Sequence, residues 1–304
     1  MTNPHRLVGA LMNSVRRRIR SLGGGHGDAA TENRPGTGDF AVLGPLRFVK
    51  GGHFLLVLAF FFAAIGASNA QTDPHSDNGV LATLVRWSPL ILKGFSVNLM
   101  MSISAMTIGT VAGVCLGLAQ ISLFKPAHLF AYAVTQIFRN SPWLVMLFFI
   151  SLAVPFQIKI GGSVYIVPDW LKATLGFSLP VMANISEVVR GAIASIPSAQ
   201  WEAASSLAFT RSQCLRMIIL PQCIKRMIPP WMNWYAILTL ATPLCYIMGV
   251  EEAVNYTNQA ITAEGGRPEL LAPFYLFVLV LFFLYIYPIS RLATWLETKY
   301  AVHA

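Results

Sequence analysis

The chain has 304 residues, 55% of them hydrophobic and only 12% charged, with a formal net charge of +9. A soluble domain carries roughly 25% charged residues, so this composition, with a mean hydropathy of +0.58, reads as an all-α integral membrane protein. The basic residues are dispersed rather than gathered in one stripe, which argues for topogenic charge and against nucleic-acid binding. Cys115, Cys214, Cys223 and Cys245 form no CxxC pair and have no His cluster beside them. No metal site is expected, and all four read as reduced packing residues.

Residues 1–50 are rich in Gly, Arg and Asn and have no apolar periodicity. They read as a disordered basic cytoplasmic tail. Its run Arg16-Arg17-Arg18-Ile19-Arg20 is placed to hold the tail inside, within reach of anionic membrane lipid. The segment 51–70 is the first apolar stretch and ends in Ser68-Asn69-Ala70, a sequence similar to a signal-peptidase site. A signal peptide has a short basic lead, whereas some fifty residues precede this stretch. The expectation is an uncleaved N-terminal transmembrane span.

Five further spans follow, at about 95–123, 128–156, 170–194, 228–250 and 273–295. Trp170, Trp231 and Trp295 lie near span ends, as in an interfacial belt. Six spans put both termini on one side. Residues 1–51, 123–140, 190–226 and 288–304 hold 17 of the 22 Lys and Arg residues; the opposite loops hold Arg86, Lys93, Lys159, Lys172 and Arg267. Positive charge stays inside, so the N- and C-termini are expected in the cytoplasm.

The polar island at 195–221 interrupts this pattern. Ile196-Pro197-Ser198 is expected to start a helix, with the proline in its first turn and the serine capping free amides. Glu202 then complements the positive end of the helix dipole. Ala203, Ala204, Leu207 and Ala208 are expected to make one small-residue face. Thr210-Arg211-Ser212-Gln213 fits a capping box for a second short helix ending before Pro221. Alanines let a helix sit close in a partner's groove. A hairpin resting on lipid headgroups would call for larger apolar residues and more lysine.

Glu202-Ala203-Ala204, then Ala208, then Ile218-Ile219-Leu220-Pro221 resemble the EAA loop of ABC importer permeases, with Ala208 where the family has Gly. The run from Glu187 through Gly191 to Ser195-Ile196-Pro197 and Gln200-Trp201 is similar to the polar amino-acid subfamily. So are Phe138-Arg139-Asn140-Ser141-Pro142-Trp143-Leu144-Val145 and Met248-Gly249-Val250-Glu251. The likeness covers about 89–300. It implies a type I ABC importer transmembrane domain: a five-span core, so that the span at 51–70 is an extra one, in a bacterial inner membrane. It implies a second permease subunit, identical or homologous, and a periplasmic solute-binding protein. It also implies an ABC ATPase dimer that binds the ATP and Mg, so this chain itself takes no cofactor. The substrate implied is a polar L-amino acid, moved by alternating access. The coupling element implied comprises Gln200, Trp201, Glu202, Ala203, Ala204, Leu207, Ala208, Ile218, Leu220 and Pro221. If Ala208 occupies a left-handed turn it costs about 1 kcal/mol; if the helix continues through it, alanine helps.

Among the polar residues within spans, Asn98, Gln136, Asn140, Asn184, Asn233 and Thr242 could bond helix to helix or line a path. Asn140, Ser141, Asn184, Thr242 and Pro243 are the candidates for a substrate pathway, Pro243 because it breaks its helix and frees carbonyls. Glu187 and Arg190 are spaced for a local ion pair. The chain lacks GxxxxGK[ST] and is not expected to hydrolyse ATP. The alternative of a self-sufficient secondary transporter would show paired broken helices and intramembrane acids. An intramembrane enzyme would need His or Asp at depth.

Overall fold

A computed structural model describes residues 79–160 and 163–300, together with Ala63 and Gly66. The expected tail at 1–50 lies outside the described residues, as does the span at 51–70 apart from those two positions.

Helix α1 (Val80–Gln120) has 41 residues. At 1.5 Å per residue it is about 60 Å long, twice a hydrocarbon core of roughly 30 Å. It therefore starts well before the expected residue 95 and carries Arg86 and Lys93 in its outer turns.

The expected span 128–156 is instead two helices, α2 (Lys125–Arg139) and α3 (Trp143–Ala153), bent by 107° at Asn140-Ser141-Pro142. Proline disfavours helical geometry in the residue before it. The carbonyls freed at the end of α2 find side chains: Asn140 Nδ2 donates to Gln136 O (2.8 Å) and Ser141 Oγ to Ile137 O (2.7 Å).

A short antiparallel hairpin follows, β1 (Gln157–Ile160) and β2 (Ser163–Ile166), with Gln157 opposite Ile166. It departs from the all-helical expectation. Its signal was present in Gly161-Gly162 between two runs of β-branched residues.

Helix α4 (Asp169–Ala194) is the central pillar, with much of its length buried. It turns by 65° into α5 (Ser198–Ser206), and α6 (Arg211–Cys214) follows. The expected end before Pro221 is not observed. It widens into a π turn at Leu215–Ile219 and continues as α7 (Leu220–Ala241). Proline lacks only an N–H and is tolerated in a first helical turn, so Pro221 opens α7 rather than ending its predecessor. At Thr242 the helix tightens to 3₁₀ geometry through Met248, and Gly249, at φ 79°, ends it. Then come α8 (Ala253–Ala263), set 49° off, and α9 (Pro268–Tyr300).

Among the described residues, α1 and α9 are each long and apolar enough to cross a membrane, and counting each of the three bent pairs as one span brings the number up to five. That matches the five-span core.

Packing is closest between α1 and α4. A Cβ built on Gly109 would lie 2.5 Å from Val181 Cγ1, one on Gly113 2.7 Å from Met182 O, and one on Gly117 2.8 Å from Ser186 O. Small residues at four-residue spacing let the two backbones touch where lipid supplies no hydrophobic drive. Polar clasps add to this contact. Gln120 Nε2 donates to Thr135 Oγ1 (3.0 Å) on α2 and to Ser186 Oγ (3.1 Å) on α4. Trp231, expected in an interfacial belt, donates from α7 to Thr110 Oγ1 on α1 (2.8 Å).

Candidate functional site

The elbow formed by α5 and α6 has an inner and an outer face. Trp201 and Ala204, three residues apart, point inward; Ala204 is 2% exposed and packs in one cluster with Cys214, Ile219 and Cys223. Gln200, Glu202, Ala203 and Leu207 point outward, Leu207 with 72% of its surface exposed. The expected single alanine face is therefore split. Ala203 belongs to the free surface and Ala204 to the core, because neighbours in a helix are 100° apart. Ile218 and Leu220 are half-buried and Pro221 is exposed.

The caps decide the elbow's shape. Pro197 is the N-cap of α5 and Ser198 its first residue, with no side-chain cap, so the expected serine cap is not made. The capping box at Thr210 is present: Gln213 N donates to Thr210 Oγ1 (3.3 Å) and Thr210 N to Gln213 Oε1 (2.9 Å).

Between the two helices Ala208 has φ 60°, the one non-glycine residue with positive φ among those described. Phe209 N donates to Ala204 O (3.2 Å) and Ala208 N to Ser205 O (3.0 Å), the paired bonds of a Schellman turn. The turn needs a left-handed residue, and alanine pays a steric penalty there. Ala208→Gly is expected to stabilise the protein by about 1 kcal/mol. A thermal unfolding midpoint in detergent that stays level or drops would refute this.

Arginines tie the elbow to the spans. Arg211 Nη2 donates to Ile121 O (3.2 Å) at the end of α1. Arg226 Nη1 donates to both Ser195 O and Ser195 Oγ (2.9 Å each), where α4 gives way to the elbow. The expected Glu187–Arg190 pair is formed (2.7 Å), and Arg139 from α2 joins it at 3.5 Å. One carboxylate thus links the end of α2 to α4.

The polar candidates for a substrate pathway fall in different surroundings. Asn140 and Ser141 form the α2–α3 break. Asn184 is buried and donates to Pro180 O (2.8 Å) within its own helix. Thr242 is buried: it accepts from Asn98 Nδ2 (3.1 Å) and donates to Thr239 O (2.8 Å). Pro243 lines an apolar groove between α7 and α9, and Asn233 lines a polar cleft beside it.

Sequence reading missed Glu252, which is fully buried. It caps α8 by accepting from Val254 N (3.0 Å) and Asn255 N (2.9 Å), and it also accepts from Asn98 Nδ2 (3.0 Å). The signal was its place after a glycine-ended helix, where an acid serves as an N-cap. Gly94 makes room for this junction: a Cβ there would lie 2.6 Å from the Glu252 carbonyl carbon.

The described residues thus form a helical domain of up to five spans with an exposed elbow between α4 and α7. Residues 105–302 match the family described as binding-protein-dependent transport system inner membrane component, and the chain belongs to that family. It is 31% identical over 230 residues to a Rickettsia typhi protein provisionally named glutamine transport system permease protein GlnP, covering 74% of this chain and 100% of that one. It is 29% identical over 204 residues to the glutamate/aspartate import permease protein GltK of Escherichia coli O6:H1, covering 66% and 91% respectively.

Two solved structures share the fold. One is the crystal structure of an amino acid ABC transporter with histidines, at TM-score 0.61 and 23% identity, covering 71% of this chain and 96% of that one. The other is the inward-facing MetNI methionine ABC transporter, at TM-score 0.56 and 20% identity, covering 70% and 97%. The fold is that of a type I ABC importer transmembrane domain, and the protein is a multi-pass inner-membrane component.

Proposed function

We propose that this chain is the permease subunit of an ATP-driven importer of polar L-amino acids. It works by alternating access beside a second permease subunit, receives substrate from a periplasmic solute-binding protein, and is driven by a separate ABC ATPase dimer that holds the ATP and Mg. Both termini and the elbow at 195–221 face the cytoplasm. The observation that carries the reading is the two-sided elbow: its inner face is fixed by Trp201 and Ala204, while Gln200, Ala203 and Leu207 are uncovered among the described residues. A rigidly backed outer surface on which Ala203 leaves room between Gln200 and Leu207 is suited to a socket in a partner. The amino-acid substrate class is supported by the relatives named as glutamine and glutamate/aspartate permeases.

The purified chain is expected to hydrolyse no ATP, and the complex with its ATPase to hydrolyse ATP faster when the binding protein and an amino acid are added. Hydrolysis by the chain alone would refute the division of labour. Sidedness is read from Ala203→Cys in a background with the exposed Cys115 replaced by alanine. Labelling by a membrane-impermeant maleimide in intact cells would put the elbow outside and end the proposal.

A further inference from the structure

A cleft of about 570 Å³ opens between α7 and α9. Arg226 and Asn233 line it from α7, and Ser290, Thr294 and Glu297 from α9. Its size falls in the range of small-molecule sites, roughly 300–1,000 Å³. It holds one cation and one anion that do not neutralise each other: Arg226 and Glu297 form no ion pair, together or with any other described residue. Arg226 spends only Nη1 on Ser195, which leaves Nη2 and Nε without a hydrogen bond among the described residues. Glu297 stands in the last turn of α9, where the helix dipole is negative and favours a cation beside it. Asn233, Ser290 and Thr294 are neutral donors and acceptors, and Pro229, Pro230, Ala293 and Tyr300 complete the lining.

We propose that this cleft binds the head group of a free α-amino acid, its carboxylate on the Arg226 guanidinium and its ammonium on Glu297. A guanidinium fork matches a carboxylate in two parallel hydrogen bonds. The proposal rests on the reading of the chain as an amino-acid permease and adds a site on the side from which cargo leaves. Arg226 also holds Ser195, so an anion on its free edge is felt where the elbow begins. Recognition is of the head group, so the site tolerates many side chains. A phosphatidylethanolamine head carries the same two charges, and the cleft shares Ser290 with an apolar groove lined by Leu240, Phe282 and Ile286 that would admit an acyl chain. The test therefore separates the two sources.

The full-length chain, with the ATPase that co-purifies with it, is placed in phosphatidylglycerol nanodiscs. Radiolabelled L-glutamine binding is then measured by equilibrium dialysis. L-Glutamate is expected to compete. L-Glutaminamide, lacking the carboxylate, and N-acetyl-L-glutamine, lacking the ammonium, are each expected to bind at least about tenfold more weakly. Glu297→Gln is expected to weaken L-glutamine about tenfold and to erase the discrimination against the N-acetyl analogue, a swap that misfolding does not produce. Equal binding of all three ligands by the unaltered chain overturns the site, as does unchanged L-glutamine affinity in Glu297→Gln. Displacement of L-glutamine by added phosphatidylethanolamine, with that lipid retained in native mass spectra, overturns the amino-acid assignment in favour of a lipid head. Parallel proteoliposomes report ATP-driven uptake. Uptake without cleft binding refutes the site alone, whereas no uptake of any amino acid refutes the permease reading beneath it.

Discussion

Gly113→Leu is expected to leave almost no folded protein in the membrane. A Cβ at Gly113 would meet Met182 O at 2.7 Å and Ile185 Cβ at 2.9 Å. The nearest atom is backbone in the central helix, so no flexible side chain can swing aside. A full leucine must push α1 away from α4, which also strips the Gln120 clasp to Ser186. Overpacking costs about 1–3 kcal/mol in general, and a backbone clash between two spans falls at the top of that range or beyond. Fluorescence-detected size exclusion measures the outcome, with Gly191→Leu as the control, since nothing lies within 4 Å of a Cβ there. Equal monodisperse yields from both variants would overturn the packing argument.

Ala203→Trp is expected to abolish uptake while leaving the chain folded. Ala203 is exposed and its neighbour Ala204 is buried, so the two positions separate docking from folding. A bulky side chain at Ala203 meets solvent in the free subunit and meets a wall in an occupied socket. A central interface position is worth about 2 kcal/mol or more, so the ATPase should bind about thirtyfold more weakly. Ala204→Trp should instead lower the unfolding midpoint, because Cys214 and Ile219 occupy the space it needs. Co-purification of the ATPase at normal yield with Ala203→Trp would refute the role of this surface.

Much of this architecture was legible in the sequence because the constraints are local. Hydropathy marked the stretches that cross, and the Thr210–Gln213 box was readable because both partners lie within one turn. The joints were harder. The span at 128–156 read as continuous, since apolar residues flank Asn140-Ser141-Pro142 and hydropathy carries no information on bend angle. Pro221 read as a stop because the π turn that accommodates it has no compositional signature. Ala208 was undecidable because its conformation depends on whether Phe209 returns to Ala204. Nor did periodicity separate Ala203 from Ala204: which alanine turns inward depends on residues such as Cys214 and Cys223, distant along the chain. Glu252 went unread for the same reason, since its partner Asn98 is 154 positions away.

The contact of Gly109, Gly113 and Gly117 with α4 has a mechanical corollary. Two rods touching main chain to main chain over successive turns can neither roll nor slide past one another without collision. Together α1 and α4 form a keel. The changes of shape that transport demands must then fall on the jointed parts: the 107° corner at Asn140–Pro142, the 3₁₀ neck after Ala241, and the linkage from Ser195 into α5. Spin labels at Val111 and Gly191 should hold a constant separation through an ATP cycle, and a shift of several ångströms between them would show the keel to be hinged.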